Sequence, residues 1–213
     1  MIHIQKGREP HSLTEYRLST DSASYDGLPT DTKNEIRAYL LREQGSICAY
    51  CMARIRMDTV TIEHYIAQHQ DGDGHDFPLD YKNMLGVCPG NNGMPYHLMT
   101  CDKHRGNTPL TVDPRVAASV GTIKYSTDGR IQSTSADINR DLEETLNLNI
   151  NFLASNRKAA LDSLNKKLKS KREKGEWTNL ASQYIKQLGE KKEKDEYTGI
   201  LLWRLGRIIK SNA

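Results

Sequence analysis

A chain of 213 residues, 37% of them hydrophobic and 27% charged, can build one sizeable core, or a small chemical module with a helical region beside it. It excludes a helical membrane protein, because no apolar run approaches the roughly 20 residues that a bilayer crossing requires. The net charge of +3 is too small to single out a polyanionic partner, yet it is unevenly spread: between Asn151 and Lys194 twelve Lys and Arg meet five Asp and Glu, which leaves the rest of the chain at −4. That basic region is either a solvated surface or one that faces a polyanion.

The opening MIHIQKGREP lacks the apolar stretch of a secretory signal, so a cytoplasmic protein with no membrane partner is expected. Residues 1–30 are rich in Ser, Thr, Asp, Gly and Pro without sustained periodicity, which predicts an extended arm with little regular structure. Pro29-Thr30-Asp31 is a helix-start signal. Ile36, Tyr39, Leu40 and Leu41 follow at helical spacing and Gly45 stops the run, predicting an amphipathic helix over 31–44. All four Cys and five of the seven His fall between residues 48 and 110, which marks that stretch as the chemical module. Ile55 and the alternating Val60, Ile62 and His64 predict a short hairpin, and Gln70 to Phe77 a polar, Gly-rich loop. From Ala136 onward leucines recur at helical spacing in four segments, among them Leu153, Leu161, Leu164 and Leu168. The expected class is α+β and mostly helical: an arm (1–30), a module (31–130) and a partly basic helical region (131–213).

Thiols in a reducing compartment do not form stable disulfides, so metal binding is the better account of the cysteines. Cys48-Ala-Tyr-Cys51 is a knuckle whose spacing turns two thiolates toward one ion. Cys88 and Cys101 complete the set across twelve intervening residues rich in Gly, Asn and Pro, a loop composition. Four thiolates describe a structural Zn²⁺ site, since they leave no position open for water or substrate. The bland alternative is that Cys88 and Cys101 are buried free thiols.

Between the cysteine pairs stand Thr61-Ile62-Glu63-His64 and then Tyr81-Lys82-Asn83-Met84-Leu85; after the last cysteine comes Asp102-Lys103-His104-Arg105-Gly106-Asn107. A strand ending in an acid and a histidine, an asparagine, and a ligand after the last cysteine, in this order, resemble the HNH endonuclease family. The resemblance covers residues 48–107. It implies a zinc-stapled ββα-metal module, with His64 as the general base that takes a proton from water, Glu63 as a ligand of a catalytic divalent ion, and Asn83 holding either backbone or His64 in place. The family's third signature residue, commonly His or Asn, falls on Asp102 here, a hard oxygen donor suited to Mg²⁺ or Mn²⁺. His104 is the competing ligand, but it sits about 200° further round a helix and is otherwise a candidate phosphate contact. Lys103 and Arg105 are expected to contact nucleic-acid phosphates without reading sequence. Glu63 and His64 as a surface pair, Asn83 as a turn residue and Asp102 as a helix cap are the structural alternatives. His69, His75 and His97 are read as loop residues.

A wider resemblance, through IHIQKGREP, CAYC, IEHYIAQ, YKNMLGVCPGNNG, CDKHRGN and LNLN, is to the HNH subunits of Septu anti-phage systems, the PtuB family. It implies an ABC-type ATPase partner of the PtuA kind, a nucleic-acid substrate and, in retron-linked versions, a reverse transcriptase with its multicopy single-stranded DNA. The rival class is a zinc-stapled binding or assembly subunit that does not cut. The final segment GILLWRLGRII is more apolar than a solvated terminus should be. It either folds onto the core or docks a partner through Leu202, Trp203 and Arg207.

Overall fold

The computed structural model describes residues 1–67, 77–170 and 177–211. It is mixed α and β and about half helical. The predicted Gly-rich loop, with His69 and His75, lies outside the described residues, apart from the backbone of Phe77.

Helix α1 (His11–Ser19) and helix α2 (Thr30–Gln44) come first. Pro29 precedes α2 and Gly45 closes it in the left-handed conformation at φ 65°, which a residue without Cβ adopts at least cost. The predicted bounds of α2 therefore hold to within one residue. The arm differs from expectation: α1 is regular, but it buries only Leu13, so its sequence carries no apolar stripe to read. Leu13 joins Leu28, Ile36, Leu40, Ile62, Leu79, Tyr81 and Met84 in a small core beneath α2.

Strand β1 (Thr61–His64) pairs antiparallel with β2 (Met84–Val87), in the register Thr61 to Val87 through His64 to Met84. The expected hairpin around Ile55 is instead this long-range pair, and Ile47 and Arg54 form only an isolated bridge around the cysteine knuckle. Gln44, 2% exposed at the end of α2, ties the three pieces together. Its amide nitrogen donates to the carbonyls of Ile47 (2.9 Å) and Gly86 (2.7 Å), and its carbonyl accepts from the Gly86 amide (2.7 Å). Every hydrogen-bonding position of that buried side chain facing the strand is used, as a buried amide requires.

Short helices α3 (Cys101–Arg105) and α4 (Ala117–Gly121) lead to a second hairpin, β3 (Ile123–Tyr125) with β4 (Ile131–Ser133), which the sequence reading missed. Helix α5 (Ala136–Arg140) runs into a single π turn, and three longer helices follow: α6 (Asn151–Ser170), α7 (Trp177–Glu190) and α8 (Thr198–Ser211). One buried cluster runs from Met1 and Ile4 through Cys48, Leu85 and Cys101 to Leu161, Leu205 and Ile208, so the helical region packs directly on the cysteine region. Helix α8 folds onto this core with Ile200, Leu201, Leu205 and Ile208, while Leu202, Trp203 and Arg207 stay at least partly exposed. Among the described residues, no helix is long and apolar enough to cross a membrane.

Arg157 occupies a leucine position on the buried stripe of α6 and is fully buried. Its Nε donates to the Gly129 carbonyl and its Nη2 to the Leu148 carbonyl, both at 2.6 Å. This fastens the β3–β4 turn to α6. Gly129 has φ 89°, and a Cβ there would lie 2.1 Å from the Ala154 carbonyl oxygen and 2.8 Å from the Lys158 nitrogen, both backbone atoms of α6. Gly129→Ala is therefore expected to destabilise the protein by about 3 kcal/mol or more, from strain and overpacking together. Denaturant unfolding of the variant against the parent checks this, and an unchanged midpoint would contradict the packing.

Candidate metal centre and adjoining acidic cleft

The knuckle is a tight turn in which the Cys48 amide donates to the Ala53 carbonyl (2.9 Å) and the Met52 amide to the Cys48 carbonyl (3.0 Å), with Met52 at φ 64°. The Ala53 amide points at the Cys51 sulfur, at 3.4 Å. Cys88 follows β2 directly, and Cys101 begins α3, where its amide donates to the Leu146 carbonyl at 2.9 Å. The intervening loop closes where the Thr100 amide meets the Gly90 carbonyl (2.9 Å); a Cβ on Gly90 would lie 2.3 Å from the Thr100 oxygen, so only glycine allows that approach.

The four sulfur atoms all lie within 4.8 Å of one another. Neighbouring sulfurs are 3.7 to 3.9 Å apart, far beyond the roughly 2.05 Å of a disulfide bond. Thiolates around a tetrahedral Zn²⁺ at about 2.3 Å would be separated by about 3.8 Å. Cys48, Cys51 and Cys101 are buried and Cys88 partly so. The donor set and its dimensions fit a zinc ion, and its four sulfurs would fill the coordination sphere.

Beside this centre, a cleft of about 360 Å³ opens between the end of β1 and the start of α3. Glu63, His64, Asp102, Lys103 and Asn107 line it, so four of the side chains singled out in the sequence meet in one place. Glu63 is buried. It accepts from the Tyr50 hydroxyl (3.1 Å) and pairs with the Arg105 guanidinium on one side, while the Asp102 carboxyl lies within hydrogen-bonding reach on the other. Burial and the neighbouring Asp102 outweigh the arginine and push the Glu63 pKa up to about 8. Two carboxyl groups held this close resist ionising together, and a shared proton or a cation relieves them.

His64 donates from Nε2 to the Pro78 carbonyl at 2.9 Å, since a carbonyl oxygen can only accept, and this leaves the ring's lone pair on Nδ1. The Tyr25 ring meets it edge-on with centroids 4.5 Å apart, so the N-terminal segment helps to cover the histidine. Burial lowers the His64 pKa below its ordinary value, opposed by the Pro78 carbonyl and by Asp102. The imidazole is therefore neutral at neutral pH and able to accept a proton.

Asn83 holds backbone: its side chain accepts from the Ile66 amide (2.8 Å) and donates to the Ile66 carbonyl (2.9 Å), while the Tyr65 amide donates to the Asn83 carbonyl (2.9 Å). It thereby fixes the chain immediately after His64. Lys103 lines the cleft and pairs with Asp102 at 3.2 Å. Arg105 departs from the reading that placed it on phosphates. Its side chain is 1% exposed and committed to Glu63, to the Thr108 carbonyl (2.8 Å) and to the Tyr65 carbonyl (2.5 Å). His104 lies away from the cleft: its Nδ1 contacts the Thr145 carbonyl at 3.0 Å and its ring stacks on Tyr96. His97 is exposed in a short turn within the cysteine insertion. Tyr50 and Tyr25, which the sequence reading did not single out, pack against Glu63 and His64 respectively. No family model matches the chain, and a search of curated proteins found no match.

Cys48→Ser is expected to lose bound zinc and most of the folded state, because metal affinity at such a site is folding free energy. Metal content and melting temperature measured together check this; full zinc at an unchanged melting temperature would contradict the assignment. A second expectation concerns pH. The folded Glu63 pKa of about 8 stands above the ordinary carboxylate value of 4.5, so its contribution to stability is fully present below 4.5 and is lost as pH rises through 8. Without added divalent ion, Glu63→Gln should flatten the pH dependence of the melting temperature across that window; a variant profile parallel to the parent's would count against the shared-proton account.

Proposed function

We propose that this protein is a metal-dependent endonuclease of the HNH kind that hydrolyses nucleic-acid phosphodiester bonds. The observation that carries the reading is the convergence of Glu63, His64 and Asp102 on one cleft beside the four-cysteine centre. The local order supports it as well: an antiparallel pair of strands, an acid and a histidine at the end of the first, an asparagine just before the second, and a short helix whose first turn supplies another acid. That succession is the order of elements that a ββα-metal arrangement, implied by the sequence resemblance, would require.

Glu63 and Asp102 offer hard oxygen donors, and Mg²⁺ or Mn²⁺ held there would stabilise negative charge on the phosphate and the leaving oxygen. His64, neutral and oriented by the Pro78 carbonyl, takes the proton from the attacking water. Lys103 pairs with a phosphate oxygen at the mouth of the cleft. Arg105 keeps the Glu63 carboxylate aimed by holding it from behind. Asn83 keeps β1 and the chain after it in register, so that the histidine does not drift. The zinc is structural. Service as the effector of an anti-phage complex beside an ABC-type ATPase is part of the same proposal and is supported by the sequence resemblance.

His64→Ala is expected to reduce divalent-dependent nicking of plasmid DNA by about 10²-fold or more, while zinc content and melting temperature stay close to the parent's. A zinc-loaded, folded variant that nicks at the parental rate would refute the role of His64. Absence of any nicking by the parent protein would favour a binding subunit instead.

A further inference from the structure

We propose that a second site, in the groove between β3 and α8, binds single-stranded nucleic acid. The groove encloses about 550 Å³ and presents Lys124 from β3 and Trp203, Gly206, Arg207 and Lys210 from α8. It shares no residue with the acidic cleft.

Three features of its lining point to that ligand. Lys124, Arg207 and Lys210 are all exposed, and none of the described residues lining the groove is acidic, so the local field favours a polyanion. The Trp203 indole lines the same groove, with the Arg207 guanidinium carbon 5.3 Å from its ring centre and the Tyr125 ring at 6.1 Å. An indole flanked by a planar cation is a stacking platform for an unpaired base, while the two lysines lie where a flanking backbone would carry charge. A duplex keeps its base faces covered and could use only the cations. A protein partner fits less well, because lysine is depleted in protein interfaces and three cations with no acidic neighbour among the described lining residues would need a dense counter-charge on the partner.

The third feature is Gly206. It lies inside α8, where glycine is the poorest helix former apart from proline, yet a Cβ built there would meet nothing within 4 Å. Packing inside this chain therefore does not require a glycine. The same holds for Gly121, which lines the opposite side of the groove. Bare backbone on both walls leaves a slot open to a flat ligand that approaches closely.

Trp203 also provides the assay. The chain has two tryptophans, so in Trp177→Phe fluorescence excited selectively in tryptophan, apart from the tyrosines, reports on the groove alone. Titration with oligothymidylate, without added magnesium or manganese so that no strand is cut, is expected to quench that fluorescence in a saturable and salt-sensitive manner. Gly206→Leu in the same background should weaken binding about tenfold or more, with an equal or higher melting temperature, since leucine favours the helix and projects into the slot. Lys124→Glu should weaken binding and reduce the salt dependence by about one unit of slope. The proposal is overturned if oligothymidylate leaves Trp203 fluorescence unchanged, or if both groove variants bind like their parent. Because the readout is binding without cleavage, its failure would leave the reading of the acidic cleft standing, and an inactive cleft would leave the groove standing.

Discussion

Four sulfur atoms within 4.8 Å of one another hold together segments that the chain keeps far apart: the knuckle at 48–51, the end of β2 at Cys88 and the start of α3 at Cys101. Unmetallated thiols have no reason to crowd so closely, and four thiolates without a cation would repel. A zinc ion bound there would turn that repulsion into a cross-link between the three segments. The acidic cleft is built on the same segments. Asp102 and Lys103 directly follow one of the cysteines, while Glu63 and His64 lie on the strand hydrogen-bonded to the one that leads into another.

A second tier of contacts turns this constraint into a specific geometry. Gln44 locks α2 to the knuckle and to β2, Asn83 fixes the chain beyond His64, and Arg105 reaches back from α3 to Glu63 across the sheet. Each is a buried polar side chain that is hydrogen-bonded, and removing one leaves its own partners unpaired in a region of low dielectric. The helical region is part of the same body: α6 and α8 bury their leucines against the knuckle, and Arg157 ties the β3–β4 turn to α6.

Some of this could be read from sequence because its signals are local. Pro29 and Gly45 frame α2, the C-x2-C spacing marks a metal knuckle, and an acid-histidine pair at a strand end stands out. The β3–β4 hairpin was legible too, in the alternation around Asp128-Gly129, but three-residue strands are easily passed over. Other features had no local trace. Arg105 adjoins a lysine and a histidine and looks like a phosphate contact; its burial follows from Glu63, 42 positions earlier, and Tyr50, 55 earlier. Arg157 stands among leucines on α6 and owes its place to two carbonyls of a distant turn and a loop. Helix α1 escaped because a single leucine anchors it.

The central claim is that Glu63 and Asp102 form one cation site next to a zinc centre that is already full. Manganese binding, followed by electron paramagnetic resonance on zinc-loaded protein, tests it directly. The account predicts one saturable Mn²⁺ site in the parent, unchanged zinc content throughout, and loss of the Mn²⁺ site in Asp102→Ala. Zinc-loaded parent protein that binds no Mn²⁺, or an Asp102→Ala variant that binds it as tightly as the parent, would contradict the account.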